Sequence, residues 1–96
     1  MTTAYDLRER MEAIGISPTV VVGGRLLWAS VESFNRSCSR RARLSKNKRK
    51  LVADRLRLLG ARASALAAEL DGHEADGLPN KLHALAAELE QNENAP

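Results

Sequence analysis

The chain has 96 residues, a length that suits one compact domain with a thin core, for which self-association is a common way to bury more surface. Its three aromatic residues leave the core to Leu, Val and Ala, which favours packed helices and argues against an all-β fold. A single cysteine excludes an intramolecular disulfide, and no apolar run approaches the ~20 residues of a transmembrane helix, so we expect a cytoplasmic protein.

Charge is distributed unevenly along the chain. The net charge of +3 includes a segment, residues 36–62, in which eleven Lys and Arg residues meet only Asp54, a net charge of +10. Residues 1–35 carry a net charge of −1, and residues 63–96 carry −6. An ordinary solvated helix face would mix acids with its bases, so the excess indicates a polyanionic partner.

The first predicted element is a helix over residues 3–14. Leu7, Met11 and Ile14 recur with the spacing of one helix face, and Gly15 follows as a natural stop. We expect that face to point into the core.

A small β-hairpin is predicted over residues 19–28. Pro18 bars continuation of the first helix, and the residues that follow, 19–22, are all β-branched. The dipeptide Gly23-Gly24 can supply the positive φ angles that a tight turn requires. Because an isolated hairpin is marginal in water, it should pack against a helix.

The basic segment is predicted to be helical. Ser30 is a suitable N-cap for a helix over residues 31–43, and Ser45 is suited to cap a fresh start. The sequence leaves open whether residues 31–70 form one long helix or two. The predicted inner face of the first part, on which Cys38 is a small core residue and not a nucleophile, consists of Val31, Phe34, Cys38 and Ala42.

Apolar residues then recur in steps of three and four, which is the spacing of a helix-packing seam. A loop over residues 71–77 separates two such stripes, and the second lies on a C-terminal helix over about residues 79–90. The stripes are predicted to face each other in a helical hairpin, to form an oligomer interface, or both. They consist of Val52, Leu56, Leu59, Ala63, Leu66 and Leu70, and of Leu78, Leu82, Leu85 and Leu89.

Gly60 lies inside the first stripe, where it predicts a bend or a close approach of helices. Residues 1–90 are expected to form a single small domain, divided into residues 1–35, the basic segment 36–62 and an acidic part 63–90. The polar residues 91–96 are typical of a disordered tail.

Arginine suits bidentate contact with a phosphate or a guanine edge, and lysine acts as a mobile point charge. No nucleophile, base and orienting group can be assembled from the sequence, and the two histidines lack metal-ligand spacing, so we predict no enzyme activity, metal or cofactor. The predicted nucleic-acid contacts are Arg25, Arg36, Arg40, Arg41, Arg43, Lys46, Lys48, Arg49, Lys50, Arg55 and Arg57.

Residues 18–34, PTVVVGGRLLWASVESF, resemble the wing and following helix of small excisionase-type winged helix-turn-helix proteins. The resemblance implies a DNA-binding regulator of phage or mobile-element type, at a bacterial nucleoid or in a phage-infected cell, with Arg25 touching the DNA from the wing. The recognition helix of that family has no counterpart between Gly15 and Pro18. The Arg-rich helix after the hairpin would then have to make the DNA contact.

Two functions follow from these observations. The first is a small basic regulator that binds DNA, or RNA, as a homo-oligomer. The alternative is a small helical interaction or inhibitor protein whose basic face docks on an acidic protein surface.

Overall fold

A computed structural model describes residues 3–23, 27–69 and 77–91, the side chains of residues 67 and 68 excepted. The prediction of a mainly helical fold is confirmed. The elements in chain order are α1 (Ala4–Ile14), a 3₁₀ helix (Pro18–Val21), α2 (Val31–Ser39), α3 (Lys46–Glu69) and α4 (Leu78–Gln91).

Local hydrogen bonds define α1 at both ends. The Thr3 hydroxyl accepts from the backbone N–H of Asp6, and the Asp6 carboxylate accepts from the N–H of Thr3, which completes a capping box. Gly15 ends the helix with a φ of 88°, a left-handed conformation that glycine adopts without strain. Leu7 and Met11 are fully buried, so the predicted inward face is confirmed.

The predicted β-hairpin over residues 19–28 is wrong. Pro18–Val21 is a 3₁₀ helix, which the Ser17 hydroxyl caps by accepting from the N–H of Thr19, and the fixed φ of Pro18 suits its first turn. Among the described residues of this stretch, extended pairing is limited to one isolated parallel bridge between Val22 and Trp28. The β-branched run therefore contributes a buried side chain, Val21, without forming a strand.

The basic segment contains two helices, which resolves the question that the sequence left open. Ser30 caps α2 as predicted, but the helix ends at Ser39, earlier than expected. Arg41 has a φ of 52°, a left-handed conformation that a helix cannot contain. The Ser45 hydroxyl then accepts from the N–H of Lys48 and restarts the chain as α3.

Helices α3 and α4 form the predicted helical hairpin and pack against each other along both apolar stripes. Most stripe residues are buried in this intramolecular contact, whereas Leu66 is 55% exposed. Leu70 lies outside the described residues. The buried members are Val52, Leu56, Leu82, Leu85 and Leu89, with Leu59, Ala63 and Leu78 partly buried.

Gly60 marks the close approach of α3 and α4, which was one of its two predicted roles. A Cβ atom at this position would lie 2.9 Å from Nε2 of His83. The imidazole of His83 therefore covers the backbone of α3 where any larger residue would displace it.

Several predictions fall on residues that the structure does not describe: Arg25, the loop residues 71–76 and the tail residues 92–96. Gln91, assigned to the tail, is the last residue of α4. In the described part of the chain, no helix is long and apolar enough to cross a membrane.

Candidate nucleic-acid interface

The ten described residues of the predicted interface fall into two groups. Six are exposed, and none of these six forms an ion pair within the described ranges. Arg41 is one of the six, but its guanidinium packs on an aromatic ring, which leaves five with neither kind of contact to a described residue. They lie around the connection between α2 and α3, within residues 36–50. We call them the basic set: Arg36, Arg40, Arg43, Lys46 and Lys50.

Of the other five predicted contacts, four are engaged within the fold by hydrogen bonds, ion pairs or aromatic rings, and the fifth, Arg49, is partly buried. Arg55 reaches from α3 to the 3₁₀ helix, where its Nη1 donates to the carbonyl oxygens of Val22 at 2.9 Å and Val20 at 3.3 Å. These bonds fasten the chain segment after the 3₁₀ helix to α3. Arg55 is half-buried, and its guanidinium is occupied by backbone acceptors.

Arg57 pairs with acidic residues of the helical hairpin. Its Nη1 lies 2.6 Å from Glu90 of α4 and 3.5 Å from Asp54 of its own helix. The hydrogen bond to Glu90 raises the pKa of Arg57, and it lowers the pKa of Glu90, assisted by the charges of Arg57 and Lys50. Because the Glu90 pKa is lower in the folded state, this pair stabilises the fold above the ordinary glutamate pKa. That contribution is lost as the pH falls through the folded-state value.

Aromatic rings hold two more of the predicted contacts. The Arg41 guanidinium carbon lies 4.1 Å from the centroid of Tyr5, and the Lys48 ammonium lies 4.3 Å from that of Trp28.

The Nε of Arg49 is buried and has no hydrogen-bond partner among the described residues. Arg49 lies in the first turn of α3, three and four residues before the fully buried Val52 and Ala53, so its side chain shares their face of the helix.

Sequence reasoning missed Arg8, a half-buried cation that contacts the same aromatic ring as Arg41. Its guanidinium lies 5.6 Å from the Tyr5 ring, so the ring of Tyr5 is shared by Arg8 and Arg41, and Arg8 also donates to Asn35 at 3.4 Å. The signal was present, because Arg8 follows Tyr5 by three residues on a predicted helix.

Arg55 is expected to contribute to stability more than to binding. Arg55→Gln should lower the free energy of unfolding by about 1–2 kcal/mol, because two backbone carbonyl oxygens lose a charged donor. Urea denaturation followed by circular dichroism measures the loss. Arg62→Gln is the matched control, since Arg62 is exposed on the same helix and forms no ion pair with a described residue. Equal midpoints for the two variants would contradict a stabilising role for Arg55.

The described acids of α4 form their ion pairs with cations outside the basic set, although Lys50 is close enough to Glu90 to contribute to its lowered pKa. Glu88 accepts two hydrogen bonds from Arg10 of α1, at 2.7 and 2.9 Å, and Glu90 accepts from Arg57. The bidentate bond to Glu88 raises the pKa of Arg10. The acidic third of the chain is thus partly neutralised by α1 and α3, and the basic set keeps its charge.

An apolar groove lies between the 3₁₀ helix and the α3–α4 hairpin and has a volume of about 330 Å³. Leu66 lines it, and the 51% exposed Leu58 lines an adjoining cavity of about 280 Å³ that shares Val20, Leu59 and Arg62 with it. Such an exposed apolar surface is typical of a contact with another protein.

The described residues contain no group of three or more His, Cys, Asp or Glu side chains that would hold a metal ion. Cys38 is fully buried, and its thiol donates to the carbonyl oxygen of Ala4 at 3.3 Å. Burial raises the pKa of this thiol.

Comparisons with protein-family models, curated proteins and solved structures find no match to the chain.

Proposed function

We propose that the protein is a small regulator that binds DNA through the basic set and acts in the cytoplasm as a homo-oligomer. One observation carries the proposal: the five exposed cations of the basic set lie within residues 36–50, and none of them forms an ion pair with a described carboxylate or packs on a described aromatic ring. Unpaired charges at this density repel each other and attract a polyanion, of which nucleic acid is the commonest in a cell. RNA would attract the same charges, so the two must be compared directly.

The expected salt dependence follows from the number of cations that remain available to phosphates. Cations that are engaged within the fold are left out of that number. If the five residues of the basic set neutralise four or five phosphates, the logarithm of the affinity should fall with the logarithm of salt concentration with a slope of about −3.6 to −4.5 on duplex DNA. A contact surface that used all ten described cations would give a slope of about −9. The measured slope therefore distinguishes the basic set from the whole predicted interface.

A mobility-shift titration tests the proposal. Duplex DNA, duplex RNA and single strands are titrated with the full chain at two salt concentrations, about 50 and 200 mM, over which polyanion binding weakens strongly. We expect retardation of duplex DNA that weakens steeply with salt. No binding to any of the three at the lower concentration would rule out a nucleic-acid function.

This proposal is independent of the resemblance to excisionase-type proteins. The wing of that family is a β-hairpin, and the described residues within 19–28 form a 3₁₀ helix and one bridge instead. The charge of the basic set argues for a nucleic acid by itself.

A second candidate function is supported by the apolar groove. Its lining combines Leu66 and Val20 with the charged Arg62, an arrangement that suits an amphipathic protein segment carrying acidic residues. In this alternative the protein is an interaction or inhibitor protein that docks on an acidic partner. The same groove is the surface through which we propose that two copies associate, since the remaining stripe residues are largely occupied within the α3–α4 hairpin.

A further inference from the structure

A cleft lined by serine and arginine residues lies along one face of α2 and has a volume of about 460 Å³. The lining residues recur at positions three and four apart, so they share one face of the helix. No acidic residue is found among the described residues that line it, which are Ser33, Arg36, Ser37, Ser39 and Arg40.

The two arginines of the cleft belong to the basic set. Arg36 and Arg40 stand one helical turn apart, both are exposed, and neither pairs with a carboxylate of the described residues. Two guanidinium groups at this spacing present several N–H donors to one anion.

A serine hydroxyl in the cleft has an unused proton. Ser37 is 8% exposed, and its Oγ accepts a hydrogen bond from Nε1 of Trp28 at 3.0 Å. The indole occupies the oxygen as an acceptor, and within the described ranges nothing accepts the Ser37 hydroxyl proton. A hydroxyl that already accepts one bond is polarised into a better donor, so the lining offers a buried neutral donor beside two charged ones.

We propose that this cleft holds one backbone phosphate of the bound nucleic acid, an inference that rests on the proposed function. Arg36 and Arg40 contact the non-bridging oxygens from the rim, and the Ser37 hydroxyl donates to the same phosphate. The other two hydroxyls, of Ser33 and Ser39, supply further donors. A volume of about 460 Å³ exceeds what a single phosphate needs, which suits a phosphodiester that enters together with its adjoining sugar.

The geometry couples this site to a spectroscopic signal. Trp28 is the sole tryptophan of the chain, and its indole N–H donates to the hydroxyl that would bind the phosphate. Binding of an anion at Ser37 should therefore change the emission of Trp28, which is 5% exposed and shielded from direct contact with bulk solvent.

The test compares two double variants of the full chain, each of which removes two positive charges. Arg36→Gln with Arg40→Gln alters the cleft, and Arg10→Gln with Lys81→Gln alters exposed residues outside both the cleft and the apolar groove. Both are titrated with a short DNA duplex, with binding followed by mobility shift and by Trp28 emission. We expect the cleft variant to bind about ten- to hundredfold more weakly than the control, with a salt slope that is smaller by about 1, and to lose the emission change.

Two outcomes would overturn the inference. One is equal affinity and salt slope for the cleft and control variants; the other is an unchanged Trp28 emission when the unaltered chain binds the duplex. Either result, obtained while the unaltered chain still shifts DNA, removes the cleft and leaves the proposed function intact. Failure of the unaltered chain to bind DNA would remove the function itself.

Discussion

Leu56→Asp is expected to unfold the protein. Leu56 is fully buried between α3 and α4, so the substitution removes an apolar side chain from the core and places an unpaired carboxylate there. We expect a loss of more than about 4 kcal/mol, a large part of the total stability of about 5–14 kcal/mol that a chain of this length has. Far-UV circular dichroism and urea denaturation measure the change.

Leu66→Asp is the matched control for this prediction. It introduces the same charge on the same helix, at a position that is 55% exposed. Helicity should be retained, and an oligomer that forms through the apolar groove should dissociate in sedimentation experiments. Loss of helicity in both variants, or in neither, would contradict the burial assigned to these two leucines.

Trp28→Ala is expected to have the second largest effect, a loss of about 3–5 kcal/mol. The ring of Trp28 packs edge to face with Phe34 at a centroid distance of 4.7 Å, and its N–H donates to the oxygen of the buried Ser37 hydroxyl. The substitution opens a cavity and removes the anchor that ties the segment before α2 to that helix. Thermal unfolding followed by circular dichroism, which does not depend on tryptophan, measures the loss.

Trp28→Phe separates the two contributions of this residue. It keeps an aromatic ring against Phe34 and removes only the indole donor, so a smaller loss of about 1–2 kcal/mol is expected. If Trp28→Phe were as destabilising as Trp28→Ala, the hydrogen bond to Ser37 would outweigh the packing of the ring, and the packing could not be the main contribution of Trp28.

The helices were predictable because their signals are local. Thr3, Ser30 and Ser45 each place a hydroxyl oxygen where it accepts from a free backbone N–H, and Gly15 ends α1 through its left-handed φ. The end of α2 had no such signal, because the left-handed residue there is Arg41, which rarely adopts this conformation.

The hairpin prediction failed because two local tendencies compete at the same residues. A β-branched run before Gly23 favours a strand, whereas Ser17 and Pro18 favour a tight helical turn. A contact from a distant residue also acts on this segment, since Arg55 of α3 donates to the carbonyl oxygens of Val20 and Val22. Sequence separation hides such contacts from a pattern of neighbouring residues.

The candidate site was predictable as a region but not residue by residue. A count of charge treats Arg40 and Arg57 alike, although the first is exposed and the second pairs with Glu90. That distinction depends on how α4 folds back along α3. The serines of the α2 cleft were missed because a hydroxyl on a basic helix carries no signal until Trp28 is seen to bond with one of them.

The buried thiol of Cys38 can report how often α1 separates from α2, through the rate at which the thiol is alkylated. Its Sγ donates to the carbonyl oxygen of Ala4 in the first turn of α1, so an alkylating reagent meets the sulfur only while α1 is detached from α2. The chain contains no other cysteine, and the rate of alkylation therefore measures how often this contact separates. A partner that stabilises the contact between α1 and α2 would lower the alkylation rate of Cys38, and a partner that separates the two helices would raise it.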